Sequence, residues 1–269
     1  EDINILLVVQ PDDLSETTKY AIDQFILRGG KMLAFIDPHV ETKKRNNRQK
    51  ENVSKKRHGV YDLFQPWGID VDFNSIIGDK NLAQRVTAIS GGRRVVTSYL
   101  PWLSIDQRGL DRDDVITSEI ERVNVASAGF ISLINDSNLT MEPLVFSSKA
   151  TQLLDSDKVI KNPNPVQMLS DFKKTSSNLP IAARVSGNFK TSFPNGPPNR
   201  TDQVNDTKPD PILINKHLNQ SKEETSIIIV ADSDMLADQI WLRSGGELAI
   251  PIAQNNDLFI NMLDNLSGS

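Results

Sequence analysis

The sequence predicts an α/β fold: a mostly parallel sheet with helices on both faces and a β-rich insertion around residues 80–135. Three observations carry this. Residues 3–36 read strand, helix, strand. Apolar runs at 144–146 and 226–231 have the composition of strands covered on both faces. Residues 84–97 alternate about a glycine pair, as a hairpin does.

Ile3 to Val9 is a continuous apolar run and is expected to be a doubly covered parallel strand that Pro11 ends. Ser15 is placed to cap a helix whose apolar positions Leu14, Ala21, Ile22, Phe25 and Ile26 share one face. Gly29-Gly30 stops that helix, and Lys31 to Ile36 returns as a buried strand, which makes a right-handed βαβ unit. A short helix near Tyr61 to Phe64 leads through Trp67-Gly68 into a strand at Ile69 to Phe73. Beyond the Gly91-Gly92 hairpin, Val123 to Ser127 and Phe130 to Ile134 are β-rich, and Leu144 to Phe146 reads as a parallel strand. Asn164 to Phe172 reads as helix and Ile181 to Val185 as extended chain. Ser226 to Ala231 is a further buried strand. The last helix, Asp257 to Leu266, gathers Leu258, Phe259, Met262, Leu263 and Leu266 on one face, with Asp257 as its cap. The whole of 1–269 is expected to be one domain.

Two stretches depart from this pattern. Residues 41–57 and 193–210 lack apolar periodicity and are expected to be mobile loops. From Glu41 to His58 the local charge is +6 and the remainder of the chain carries −11, together the net −5. Lys43, Lys44, Arg45, Lys55, Lys56 and Arg57 in this run are candidate contacts for an anionic surface, such as lipid headgroups. The bland counterpart is a solvated loop.

Composition excludes several classes. With no cysteine among 269 residues there is no thiol nucleophile, Cys-ligated zinc, iron–sulfur cluster or disulfide. A net charge of −5 and a pI near 5.3 argue against duplex nucleic acid as a partner. No run approaches the roughly 20 apolar residues of a membrane span. The chain opens at Glu1 and not at methionine, so it is expected to be a fragment whose membrane tether lies outside it.

The stretches LLVVQPDDLSETTKYAIDQFILRGGKMLAFIDP (6–38), PWGIDVDF (66–73), YLPWL (99–103), PLVFSSKA (143–150), IIIVADSDMLADQIW (227–241) and NNDLFINMLDNLSGS (255–269) occur in an order that resembles one family. It is the extracytoplasmic domain of the auxiliary component of ABC-type transport systems, a gliding-motility GldG-like group. The resemblance implies a Rossmann-like domain, distantly related to class I glutamine amidotransferases and intraflagellar-transport proteins. It implies a periplasmic site at the bacterial inner membrane, beside ABC permease and ATPase subunits or other envelope proteins. It brings no catalytic residues and no cofactor.

Candidate chemistry lies at strand ends, where open α/β sheets place ligands. Asp37, Asp232 and Asp234 are candidate ligand-binding residues that could converge on a small ligand or sugar, or share a divalent ion. Their bland use is capping the next helix, which the absence of further metal-ligand spacing favours. Ser147 and Ser148, after another strand, are ligand-binding candidates too. A Ser148–His39–Asp37 hydrolase triad would need an imidazole within hydrogen-bond reach, and no G-x-S-x-G elbow surrounds the serines. No metal, no cofactor and no catalysis are therefore expected. Trp102 is the candidate exposed recognition residue.

Overall fold

The structure, a computed structural model, describes residues 3–11, 13–42, 59–135, 137–199, 211–245 and 248–268. The opening βαβ unit forms as its pattern dictates. β1 (Ile5–Val9) leads to α1 (Glu16–Leu27), and Ser15 Oγ accepts the Thr18 N–H at 3.1 Å to cap the first turn. Past the last turn Gly29 adopts φ 93°, a conformation that costs glycine little. β2 (Lys31–Phe35) then runs parallel to β1, from Ile5–Lys31 to Val9–Phe35.

α2 (Tyr61–Trp67), β3 (Ile69–Asp72) and β4 (Ser75–Asp79) precede a long hairpin of β5 (Ala83–Ser90) and β6 (Arg93–Asp106). Gly91 and Gly92 turn it at φ 56° and 75°, the pair of positive angles that a two-residue hairpin loop requires. β7 (Arg122–Ala126), β8 (Phe130–Leu133), β9 (Thr140–Phe146) and β10 (Thr151–Asp155) follow, then α3 (Ser156–Lys161), α4 (Pro165–Ser170) and β11 (Pro180–Gly187). The chain closes with α5 (Pro211–Lys216), β12 (Thr225–Val230), a 3₁₀ turn at Asp234–Leu236, α6 (Asp238–Trp241), β13 (Leu242–Gly245), β14 (Leu248–Pro251) and α7 (Asn255–Ser267). Asp257 lies in the first turn of α7 and is not its cap, because the helix starts two residues earlier than expected.

The main sheet has the order β1-β2-β12-β11-β9. Its β1–β2 and β2–β12 ladders are parallel, and its β12–β11 and β11–β9 ladders are antiparallel. The β5-β6-β7 sheet and the β3–β8, β4–β10 and β13–β14 pairs are antiparallel throughout. The fold is therefore α/β with mixed sheets, and the expected mostly parallel sheet is corrected. Burial on both faces selects apolar residues without fixing strand direction, so Leu144 to Phe146 looked parallel and runs antiparallel. A second correction concerns β1. It is the edge strand, and Leu7 and Val9 are each 45% exposed, because α7 packs chiefly across β2 and β12.

Alternation along the central strands divides the core. Leu33, Phe35, Ile228 and Val230 face α7, which buries Leu258, Met262 and Leu266 against them. Met32, Ala34, Ile36, Ile227 and Ile229 face Ile22, Ile26 and Leu27 of α1 and Leu63, Phe64 and Trp67 of α2. Helices thus cover both faces, and each fully buried side chain contributes about 1.5–3 kcal/mol. Most residues of the 41–57 and 193–210 loops, including all six basic candidates from Lys43 to Arg57, lie outside the described residues.

Candidate functional site

Adjacent parallel strands end together, and β2 and β12 are adjacent. Their carboxyl ends therefore bring Asp37 beside Asp232 and Asp234, with carboxylate oxygens within 4.8 Å of one another and all three side chains buried. Each oxygen has a donor. Asp37 Oδ1 accepts the His39 N–H at 2.8 Å, and Oδ2 accepts the N–H and hydroxyl of Ser233 at 3.0 and 3.1 Å. Asp232 Oδ2 accepts Ala126 N–H of β7 at 2.6 Å, while Oδ1 accepts Met235 N–H at 2.9 Å and so caps the 3₁₀ turn. Asp234 holds the chain that leaves β2, accepting Glu41 N–H at 2.6 Å and the N–H and hydroxyl of Thr42 at 3.0 and 2.6 Å.

Burial pushes the Asp37 carboxyl well above its ordinary value, and the charges of Asp232 and Asp234 push it further against the His39 and Ser233 amides. Asp232 is raised by burial and then by Asp234, against the amides of Ala126, Met235 and Asp234. Chemically, three crowded acids can share a proton or a cation. Among the described residues they are also the group placed to hold a divalent ion, although their oxygens already receive internal donors. Both uses named from the sequence, convergence and capping, are present in this one cluster.

Beside it lies a network the sequence did not announce. Glu41 Oε1 accepts Trp102 Nε1–H at 3.2 Å and Ser127 Oγ–H at 2.6 Å, and Glu41 Oε2 lies 3.8 Å from His39 Nε2. Trp102 is half-buried by this contact, which corrects its reading as an exposed recognition residue. Burial first, then the Glu41 charge, raises the Tyr99 hydroxyl far above its usual value. Ser127 is fully buried at φ 57°, a left-handed conformation that a side-chain-bearing residue keeps only when its surroundings impose it. Glu41 opens the basic run, so its charge looked like part of a solvated loop.

Ser147 and Ser148 belong to a different set of contacts, centred on Asp79 at the end of β4. Asp79 Oδ1 accepts the Ser148 hydroxyl at 2.8 Å and the amides of Asn81 and Leu82, and Oδ2 accepts Ser148 N–H at 2.6 Å and the Thr151 hydroxyl at 3.1 Å. Ser147 Oγ lies 2.9 Å from Thr151 Oγ1 and accepts Leu179 N–H. The structure thus brings Asp37, Asp232 and Asp234 together and places the two serines in a separate network. The Ser148 hydroxyl turns to Asp79, and the His39 contact with Asp37 is through its backbone amide, so these bonds do not build a Ser148–His39–Asp37 relay. A signal for Asp79 was available: an acid one glycine after Ile76 and Ile77, with turn residues following.

An α/β protein with mixed sheets and an acidic, internally bonded strand-end centre is the class that fold and site define. The chain belongs to the family described as ABC-type uncharacterized transport system, its auxiliary component, whose model matches residues 1–262. Membership carries a transport-associated, auxiliary role. Among solved structures the chain is similar to one titled mmIFT52 N-terminal domain, at 10% identity and a TM-score of 0.43, over 98% of this chain and 77% of that one. No curated protein matches the chain. Among the described residues no helix is long and apolar enough to cross a membrane.

Proposed function

We propose that this chain acts as one non-catalytic, GldG-like extracytoplasmic domain that binds a permease subunit or another envelope protein of its transport system. The observation that supports this reading is the internal use of both carboxylate oxygens of Asp37, Asp232 and Asp234 and of the Ser148 hydroxyl. Groups an α/β hydrolase of this shape would present to a substrate are here bonded to the protein's own amides and side chains. The test is co-expression with the cognate permease, purified in detergent through a tag on the permease. Stoichiometric recovery of this chain supports the reading. Its complete loss from the permease fraction, or turnover of an ester or amide that vanishes in Ser148→Ala, sinks it.

A second reading has its own observation. Burial first and then the mutual repulsion of the acids raise Asp37 and Asp232, and a positively charged ligand or ion at Asp37, Asp232 and Asp234 would relieve the repulsion. This sensor reading rests on the three acids alone, since Ser147 and Ser148 are bonded in the separate Asp79 network. A thermal shift with millimolar Ca²⁺, Mg²⁺ or amino sugars that disappears in Asp37→Asn would favour it, and no shift with any of them would eliminate it.

A further inference from the structure

β5 is the outermost strand of its sheet. Between residues 84 and 99 its partner β6 pairs with nothing else in that sheet, since β7 meets β6 only from Trp102 to Asp106. A two-stranded ribbon therefore extends past the sheet. The pairings Arg85–Ser98, Thr87–Val96 and Ile89–Arg94 put six side chains on one face. That face is open: Ile89 is 76% and Val96 60% exposed, and Arg85, Thr87 and Arg94 are exposed beside them. The opposite face, with Val86, Ala88, Val95 and Thr97, is largely half-buried, and α4 lies against β6 and β5.

Charge says what this face suits. Arg85 and Arg94 flank the two aliphatics and Arg93 stands at the turn. None of the three has an ion pair or side-chain hydrogen bond among the described residues. By contrast Arg108 pairs with Asp106, and Arg184 with Asp114 and Glu142. In a chain of net charge −5, three neighbouring unpaired cations around exposed Ile89 and Val96 complement something acidic and apolar. The strand edge narrows the choice. β5 is eight residues long, contains neither proline nor lysine, and among the described residues bonds through its main chain to β6 alone. Proteins ordinarily blunt such an edge, because its row of free N–H and C=O groups is a pairing template. A lipid surface can meet the arginines but not that row. An extended peptide meets both.

We propose that the β5 edge and the outer face of the ribbon bind an extended segment of a partner protein whose outward-facing side chains, at every second position, are acidic and aliphatic in turn. The segment adds as a strand beside β5, with its carboxylates toward Arg85 and Arg94 and its aliphatics toward Ile89 and Val96. This rests on the partner-binding reading above and names the surface that would carry it.

The test uses the full chain and a fluorescein-labelled ten-residue peptide with Glu and Val in turn at every second position and Ser between them, with the corresponding Lys–Val peptide as control, read by fluorescence anisotropy. Two double variants are compared with wild type, Arg85→Glu/Arg94→Glu and Ile89→Thr/Val96→Thr; all four side chains are exposed, and unchanged melting verifies the fold. Saturable binding of the Glu–Val peptide alone, weakened at least tenfold in either variant and by 0.5 M salt, is the expected result. Absence of binding by wild type, or equal binding by the variants, overturns the proposal. So does recovery of the ribbon's contacts elsewhere: binding to phosphatidylglycerol vesicles, or a self-association in sedimentation, that the same variants remove while the peptide fails to bind. Permease co-purification is scored separately. If it persists when the peptide does not bind, the ribbon is refuted and the auxiliary role stands; if the peptide binds but the permease does not retain the chain, the role fails and the ribbon stands.

Discussion

Replacing Leu258 by Ala should cost far more than replacing Ile260, two residues along the same helix. Leu258 is 1% exposed and packs into the cluster of Leu33, Phe35, Ile228 and Val230, whereas Ile260 is 49% exposed. A buried Leu→Ala change loses the transfer free energy of the removed carbons and leaves a cavity, together about 2–5 kcal/mol. An exposed site away from caps and networks stays within about 0.5 kcal/mol. Against a typical total of about 5–15 kcal/mol, the first is a large fraction and the second is small. At this chain length one kcal/mol moves the melting point by about 2–4 °C. Calorimetry should therefore show a fall of roughly 6–12 °C for a loss near 3 kcal/mol in Leu258→Ala, and about 2 °C or less in Ile260→Ala. Urea midpoints should rank the two variants in the same order. Equal effects would mean that α7 does not dock on the sheet through the face assigned to it.

Asp37 and Asp232 are raised above the ordinary carboxylate value, so the folded state holds protons that the unfolded chain has released. Their stabilising contribution is complete below pH about 4 and declines as pH rises through the raised values. The melting-point difference between Asp37→Asn and wild type should therefore move in favour of the variant from pH 5 to pH 8, and the opposite slope would contradict the assignment. Asp79→Ala strips the acceptor from five donors and should lose about 3 kcal/mol or more, exceeding Ser148→Ala at about 1–3 kcal/mol; equal unfolding midpoints would dissolve the network's central role. Activated ester and amide substrates should be turned over no faster than in buffer, and a rate abolished by Ser148→Ala would show otherwise.

What could be read in advance depended on how local its cause was. The first βαβ unit was legible because Ser15, Gly29-Gly30 and two short apolar runs act within a few residues of where they stand. The same holds for the Gly91-Gly92 hairpin and for the buried stripe of α7. The direction of β9 and β11 was not, since apolar burial selects residue type and not the way a strand runs. Nor was the exposure of Leu7 and Val9, which depends on where α7 comes to rest. The meeting of Asp37 with Asp232 and Asp234 followed from two parallel strands ending side by side. Asp79 and Glu41 escaped because their meaning lies in partners such as Thr151, Ser127 and Trp102, far along the chain.

The pairing of β2 with β12 also sets a timetable. Met32 meets Ile227, so the inner edge of the first βαβ unit waits for roughly two hundred further residues to be made. At about 5–20 residues per second that is on the order of 10–40 s. For that interval Met32, Leu33, Ala34 and Phe35, all wholly enclosed in the finished protein, sit on a strand with an open edge, and α7 is not yet available to cover them. Closure of the main sheet is thus among the last events, and a nascent chain halted before Thr225 should present an adhesive strand for a holding chaperone to recognise.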